Sequence, residues 1–437
     1  MPCHRLMAYH SENRLSEKCQ EFYFNKTGLA MNNPSLARPN ILMPILGLVW
    51  LGHFFVDVMI GIWPVYKSLA QIDLAQAGLI AAGGAFIGEG SQLFFGSLSD
   101  KGYRHICIML GIFMAAAAIF LSYTTSIALL FILFMVTCIG SGCFHPSAAS
   151  LVNTMIPSKR NILMTVFASG GSLGLACSQL IFMKTYYGTD GQTIWLAAPI
   201  VLLVIGLLFF WPAKENNGMV YHKNPKPKIK EYLSFFKHPI LRSLYLSQVA
   251  NQSLYWGMIF ILPDVLKTFS YPNWICYGVG HFCFILGGAL MMIPGGYLAD
   301  RYSPRTLMLV LGVLGMVCFY TVLLFGAFSM WLVLPVLVVL GPCLAVMNPV
   351  AVSFGVKLVP HSPGAVSAFL MGLVWCISEA LGPGGVGIMS KFFTDYAPVK
   401  ALAILGMLFI VQIYHTMLLP KEEVVLLEPQ VSLEHIA

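Results

Sequence analysis

Gly96-Ser97-Leu98-Ser99-Asp100-Lys101 and Gly296-Tyr297-Leu298-Ala299-Asp300-Arg301 spell one pattern twice, Gly-x-Leu-x-Asp-base, at positions 200 residues apart. Each copy closes a long apolar stretch with a charged corner. Duplicated sets of membrane helices place equivalent short loops on the same side of a bilayer, and the repeat predicts that arrangement.

The composition around the two copies agrees. Apolar residues make up 58% of the chain and charged residues 10%, with a mean hydropathy of +0.78; a domain facing water on all sides carries far more charge. About 20 apolar residues suffice to cross ~30 Å of hydrocarbon. Twelve segments meet that length: 41–66, 76–98, 106–123, 126–153, 162–184, 193–212, 240–266, 275–298, 306–328, 330–357, 363–390 and 398–419. They are expected to be helices, because an isolated strand cannot pair its own backbone in lipid and a barrel strand would alternate apolar with polar positions. Pro64, Pro146, Pro263, Pro349 and Pro383 within segments predict kinks or close contacts.

Basic residues set the orientation. With both termini cytoplasmic, 20 of the 25 Lys and Arg fall on the inner side and 5 (Lys67, Lys184, Lys267, Lys391 and Lys400) on the outer, the bias that cytoplasmic retention of basic loops produces. The net charge of +7 is thus a topology signal. A nucleic-acid surface would need a basic face on a folded domain outside the membrane, and no nucleic-acid partner is expected. The expected organisation is a cytoplasmic tail over 1–40, a six-helix half over 41–212, a lysine-bearing linker over 213–239, a second half over 240–419 and a tail over 420–437. No apolar core in Met1 to Asn40 reads as a signal peptide.

A second repeat supports the first. Pro146 and Pro157 flank the end of segment four, Pro349 and Pro360 that of segment ten, with the same interval and an offset of 203. With both repeats in place the chain resembles the major facilitator superfamily over about residues 41–419: twelve helices, two six-helix halves and a Gly-x-Leu-x-Asp-base loop after helices two and eight. Within it the sequence is most similar to the fosmidomycin-resistance type of drug exporter. The residues carrying that likeness are His53-x-x-x-Asp57 in helix one, Gly140-Ser141-Gly142 leading to Phe144-His145-Pro146-Ser147 in helix four, and Gly170-Gly171 with Gly174 in helix five. The resemblance implies that helices one, four, seven and ten line a cavity, two, five, eight and eleven flank it, and three, six, nine and twelve face lipid. It further implies alternating access in a bacterial inner membrane, a small-molecule cargo, a proton gradient in place of a cofactor, and a monomer surrounded by lipid.

Charges inside segments are costly and normally mark a partner or a wet cavity. His53 and Asp57, four apart, share a helical face. Asp57 assisted by His53 is the expected proton-coupling site, with Glu89 and Glu379 as further candidates; a packing hydrogen bond between Asp57 and His145 or a serine is the alternative use. His145, Phe144, Asn348, Trp375 and Gln92 are the expected substrate-cavity residues. Asp264 and His281 fall near outer helix ends, where hydration makes polar groups cheap. The motif residues Gly96, Asp100, Lys101, Arg104, Gly296, Asp300, Arg301 and Arg305 are expected to gate, the carboxylates capping helix N-termini and pairing with Arg104 or Arg305.

Other chemistries lack their motifs. The eleven cysteines show no Cys-x-x-Cys pair, which argues against a zinc site or disulfide framework built on them. A phosphate loop of the Gly-x-x-x-x-Gly-Lys type is missing. The expected activity is proton-coupled efflux of a drug or metabolite, with uptake of a metabolite or siderophore as the alternative. A membrane enzyme or receptor using His53, Asp57, His145 and Glu89 as a metal or acid-base cluster is the reading from another class. No Arg or Lys is expected at mid-membrane, so a neutral, zwitterionic or cationic cargo fits better than a strong anion.

Overall fold

Apolar runs of this length leave the backbone only itself to bond with, and among the described residues every regular element is a helix. The computed structural model describes residues 39–156, 159–210, 234–359 and 362–421. The helices from Pro44 onward belong to one unit. Ten stretches among the described residues are long and apolar enough to cross a membrane. One of them, Leu74–Tyr123, is 50 residues long and breaks at Gly102, whose φ of 97° lies in the region that favours glycine; it supplies two crossings. Pro239–Thr268, 30 residues long, is a twelfth helix that falls outside the ten.

In chain order these are α1 (Met43–Leu69), α2 (Leu74–Leu98), α3 (Arg104–Ala115, continued by Ala116–Tyr123), α4 (Ile127–Met155), α5 (Arg160–Gly188) and α6 (Ala197–Phe210). They are followed by α7 (Pro239–Thr268), α8 (Ile275–Tyr302), α9 (Pro304–Phe325), α10 (Met330–Leu358), α11 (Ala365–Ser390) and α12 (Ala397–Met417). The observed helices overlap all twelve predicted segments. The predicted linker and tails, and Pro157 and Pro360, lie wholly or largely outside the described residues.

The exclusion of α7 from the ten has a physical cause. Ser243, Ser247, Gln248, Asn251, Gln252 and Ser253 are all buried and lower its hydropathy. Three of them bond to neighbouring helices: Asn251 Nδ2 donates to Leu344 O at 2.8 Å, Gln248 Nε2 to Met347 O at 3.3 Å, and Ser247 shares a 2.8 Å hydrogen bond with Thr416. The helix is central because protein, not lipid, surrounds its polar face. Phe113 on α3, Phe209 on α6 and Ile410 on α12 are 74%, 81% and 60% exposed, as lipid-facing positions should be.

Proline and glycine shape the interior as expected, with one refinement. Pro146 and Pro263 sit inside continuous helices. Pro64 and Pro349 instead stand in the first turn of new helical pieces that begin at Ile62 and Met347, where a missing N–H costs nothing. Pro383 lies in a wide π-helical turn, Ala380–Gly384. α3 and α4 cross where Gly111 and Gly140 meet: a Cβ on Gly140 would overlap the backbone of Ala115 and Gly111. Gly140→Val is expected to destabilise the protein by about 1–3 kcal/mol through overpacking. Thermal unfolding of purified protein in detergent measures it.

Candidate functional site: a cavity between the two sets of six helices

α1, α2, α4 and α5 from the first six helices and α7, α8, α10 and α11 from the second enclose a cavity of about 490 Å³. His53, Asp57, Glu89, Gln92, His145, Asn348, Trp375 and Glu379 line it, so eight of the nine residues expected at the proton and substrate sites share one space. Phe144 is the correction. It is fully buried, its ring centroid 6.0 Å from that of His53, and it supports the cluster from behind; an apolar ring beside His145 in sequence points to the other side of α4.

The most concentrated chemistry is a triangle of His53, Asp57 and His145. Helical spacing puts His53 and Asp57 on one face of α1, with His53 Nε2 3.6 Å from Asp57 Oδ2. His145 reaches in from α4, its Nε2 3.3 Å from Asp57 Oδ1 and 3.1 Å from His53 Nε2. The opposite nitrogens are tied to the main chain: His53 Nδ1 donates to Phe167 O at 2.8 Å and His145 Nδ1 to Ser141 O at 2.9 Å. A carbonyl can only accept, so both Nδ1 atoms carry a proton, and both Nε2 atoms face the triangle. The Phe167 ring stacks on His53 at 4.2 Å and 25°, fixing its plane.

Gly171 on α5 makes room for this arrangement. A Cβ there would overlap His53 Nε2 and Asp57 Oδ2, which gives the Gly170-Gly171 pair a role beyond general packing. Nearby on α2, Gln92 Nε2 donates to Glu89 Oε2 at 2.5 Å. Across the cavity, Asn348 Nδ2 donates to Leu370 O at 3.5 Å. The indole nitrogens of Trp256 and Trp375 are buried without a hydrogen-bond partner among the described residues, and both residues line the cavity.

The two ends of the cavity differ. At the end away from the Gly-x-Leu-x-Asp loops, Lys67 of α1 forms an ion pair with Asp264 of α7, and Ser68 donates to the same carboxylate. Lys67 is completely buried, with its ammonium 4.4 Å from the centroid of the Phe260 ring. His281 of α8, also completely buried, donates through Nε2 to Leu175 O of α5 at 2.7 Å. Lys67, Asp264 and His281 are therefore not the hydrated outer residues that their sequence positions suggested: each finds its partner in the other set of six helices. Trp63, Ile259 and Phe260, which line the cavity at this end, are at most 2% exposed.

At the motif end, the following contacts each join residues of one set. Asp300 Oδ1 lies 3.6 Å from Lys357 Nζ, and Arg305 donates to Met417 O at 2.8 Å, so the expected Asp300–Arg305 pair is not formed. Arg301 lies over the Tyr302 ring. Arg104 is buried and donates to Thr154 Oγ1 at 3.1 Å. Asp100 and Lys101 are exposed in the turn that ends at Tyr103; Gly96 stands against Pro146, and Gly296 has open space where a Cβ would sit. Ala168 and Met292, cavity residues nearer this end, are exposed. The lining is thus buried at the Lys67 end and more exposed toward the motif loops.

Residues 42–383 match the profile of the Major Facilitator Superfamily. The chain belongs to that family. A Bacillus subtilis (strain 168) protein described as an uncharacterized MFS-type transporter, YfnC, is 24% identical over 369 residues, covering 79% of this chain and 85% of the relative. Among solved structures, the nucleoside transporter NupG superposes with a TM-score of 0.68 at 14% identity, over 86% of this chain and 98% of that one. A bacterial homolog of the human lysosomal transporter Spinster, in an inward-facing and occupied conformation, gives 0.68 at 15% identity, over 87% and 95%. This major facilitator protein is a transporter and not an enzyme.

The Lys67–Asp264 pair yields a stability test. Removing one partner of a buried pair leaves an uncompensated charge and costs about 3–5 kcal/mol, whereas replacing both by apolar residues is often neutral or favourable. Lys67→Met is expected to lower the unfolding temperature sharply, and Lys67→Met with Asp264→Leu to recover most of the loss. Equal unfolding temperatures for the three proteins would show that the pair does not hold the two sets together.

Proposed function

We propose that the protein is a proton-coupled secondary transporter that exports a small organic solute by alternating access, from the plasma membrane of a bacterium, with both termini cytoplasmic. The observation that carries this reading is the convergence of Asp57, His53 and His145 on one wall of a cavity that helices of both sets enclose. Two imidazole Nε2 atoms and a carboxylate facing one another make a site for a positive charge. A proton between them neutralises the cluster, and its departure restores a net negative charge at the cavity wall. Glu89 and Glu379, on α2 and α11, supply further acids on the same path.

The excess of basic residues on the motif side supports placing that side in the cytoplasm, so the observed cavity opens inward and the Lys67–Asp264 pair closes the outer end. The motif loops then act as gate elements that engage when the inner side closes. Export as the direction rests on the similarity of the His53-x-x-x-Asp57 and Phe144-His145-Pro146-Ser147 motifs to the fosmidomycin-resistance type. The lining argues for a different cargo charge. Three carboxylates face the cavity and, among the described residues, none of its lining residues is Lys or Arg, which favours a neutral or cationic solute. The free indole N–H groups of Trp256 and Trp375 would donate to acceptor atoms on that solute, with their rings as apolar walls.

Purified protein in liposomes tests the coupling. Asp57→Asn is expected to reduce accumulation driven by a pH gradient to the level of protein-free vesicles while leaving solute exchange at equal pH measurable. Undiminished gradient-driven accumulation would remove Asp57 from the coupling role. Trp256→Phe and Trp375→Phe are each expected to weaken apparent solute affinity by about 2–10-fold, the loss of one hydrogen bond of ~0.5–1.5 kcal/mol, as read from concentration dependence of transport.

A further inference from the structure

The geometry points to a divalent transition-metal site in the cavity, formed by His53 Nε2, His145 Nε2 and the carboxylate of Asp57, for an ion of the Zn²⁺ class. Both imidazoles are held in the form a metal needs. Metal-ligating histidines donate their second ring nitrogen to a carbonyl or carboxylate, which fixes tautomer and orientation; here Phe167 O and Ser141 O accept at 2.8 and 2.9 Å. The two Nε2 atoms face each other at 3.1 Å with the Asp57 carboxylate beside them, so an ion taking the place of the shared proton would find three donors already turned toward it.

The dimensions are compatible with an ion. Tetrahedral zinc with bonds of ~2.0–2.1 Å holds its ligand atoms about 3.3 Å apart; the two Nε2 atoms are 3.1 Å apart, Asp57 offers Oδ1 to His145 at 3.3 Å and Oδ2 to His53 at 3.6 Å, and one ligand atom from each residue can be chosen with all three within 4.8 Å of one another. Three protein ligands with a fourth position open is the pattern of exchangeable zinc sites, while closed structural sites use four. The open side here is the cavity, so water or a donor atom of a cargo completes the shell. Two imidazoles and one carboxylate select Zn²⁺, Co²⁺ or Ni²⁺ over Mg²⁺ and Ca²⁺, which prefer all-oxygen shells. Gly171 is part of the site's construction, since a Cβ there would fill space beside two of the three ligand atoms. Among the described residues this is the group of histidine, cysteine and acidic side chains that converges closely enough to hold an ion. The inference does not depend on proton coupling: a chain that moves no protons could still bind the ion, and the reverse.

The test is titration of purified full-length protein, freed of any histidine tag, with ZnCl₂ in a calorimeter. One saturable ion per chain is expected. His145→Gln and Asp57→Asn should each weaken it by more than the 10–100-fold that loss of an outer-shell partner costs; His415→Gln, at the far end of α12, should leave it unchanged. Because a variant can fail to fold, X-ray absorption at the zinc edge and Co²⁺ visible spectra are taken on the unaltered chain, where a four-coordinate shell containing two imidazoles is expected. Absence of saturable binding, a shell without imidazole, or binding that survives both ligand substitutions would each overturn the site. None of these outcomes bears on gradient-driven transport by metal-free protein, so failure here and failure of the proposed coupling are separately visible.

Discussion

Hydrocarbon offers no hydrogen-bond partner, and every polar group carried into the bundle must find one in protein or in a wet cavity. This constraint turns α7 inward, because Ser247, Gln248 and Asn251 bond to α10 and α12 and could bond to nothing in lipid. It pairs Lys67 with Asp264 and Ser68, and it ties His281 to the backbone of α5. The helices richest in polar atoms therefore occupy the centre, and the cavity is the space their polar faces enclose. Where satisfaction is incomplete, at the indoles of Trp256 and Trp375, and where it is shared among groups that face the cavity, at His53, Asp57 and His145, the cavity has polar atoms to offer a solute.

The fold was legible because its signals are local. An apolar run of 20 residues is a property of one segment, and the two Gly-x-Leu-x-Asp corners could be compared without knowing what they touch. The i, i+4 relation of His53 and Asp57 was legible for the same reason. Contacts between distant helices were not. His145 lies 92 residues from His53 and Asp264 lies 197 from Lys67, and no periodicity links either pair. Lys67 was misread by a sound rule, since a basic residue after an apolar run normally fixes topology, and only the position of α7 shows that this one is buried. Phe144 failed differently: its neighbour His145 faces the cavity, and adjacent residues of a helix point about 100° apart.

The two ends of the bundle are built for unequal tasks. At the Lys67 end, polar contacts tie one set of six helices to the other. At the motif end, Asp300–Lys357 joins α8 to α10 and Arg305–Met417 joins α9 to α12, contacts that hold the second set together as a body. Rocking about the closed end is the motion such a distribution of contacts permits.

A buried ion pair suits the closed end for an energetic reason. Removing one member is expensive, because the survivor stays charged and dry, but the pair as a whole gains little over two hydrated ions, since the lost solvation roughly offsets the Coulomb attraction. Separating the helices would let water reach Lys67 and Asp264 together, so opening exchanges one satisfied state for another of similar free energy. The latch therefore resists damage more than it resists motion. Two members of the cavity cluster sit on the same helix, ten residues from Asp57 to Lys67, and under the proposed coupling the cluster's net charge would change with the cation it held. With both imidazoles neutral it is −1; one proton makes it neutral, and a divalent ion would make it +1. A charge change on α1 beside a latch of near-balanced free energy needs only a small differential interaction to shift which end is open.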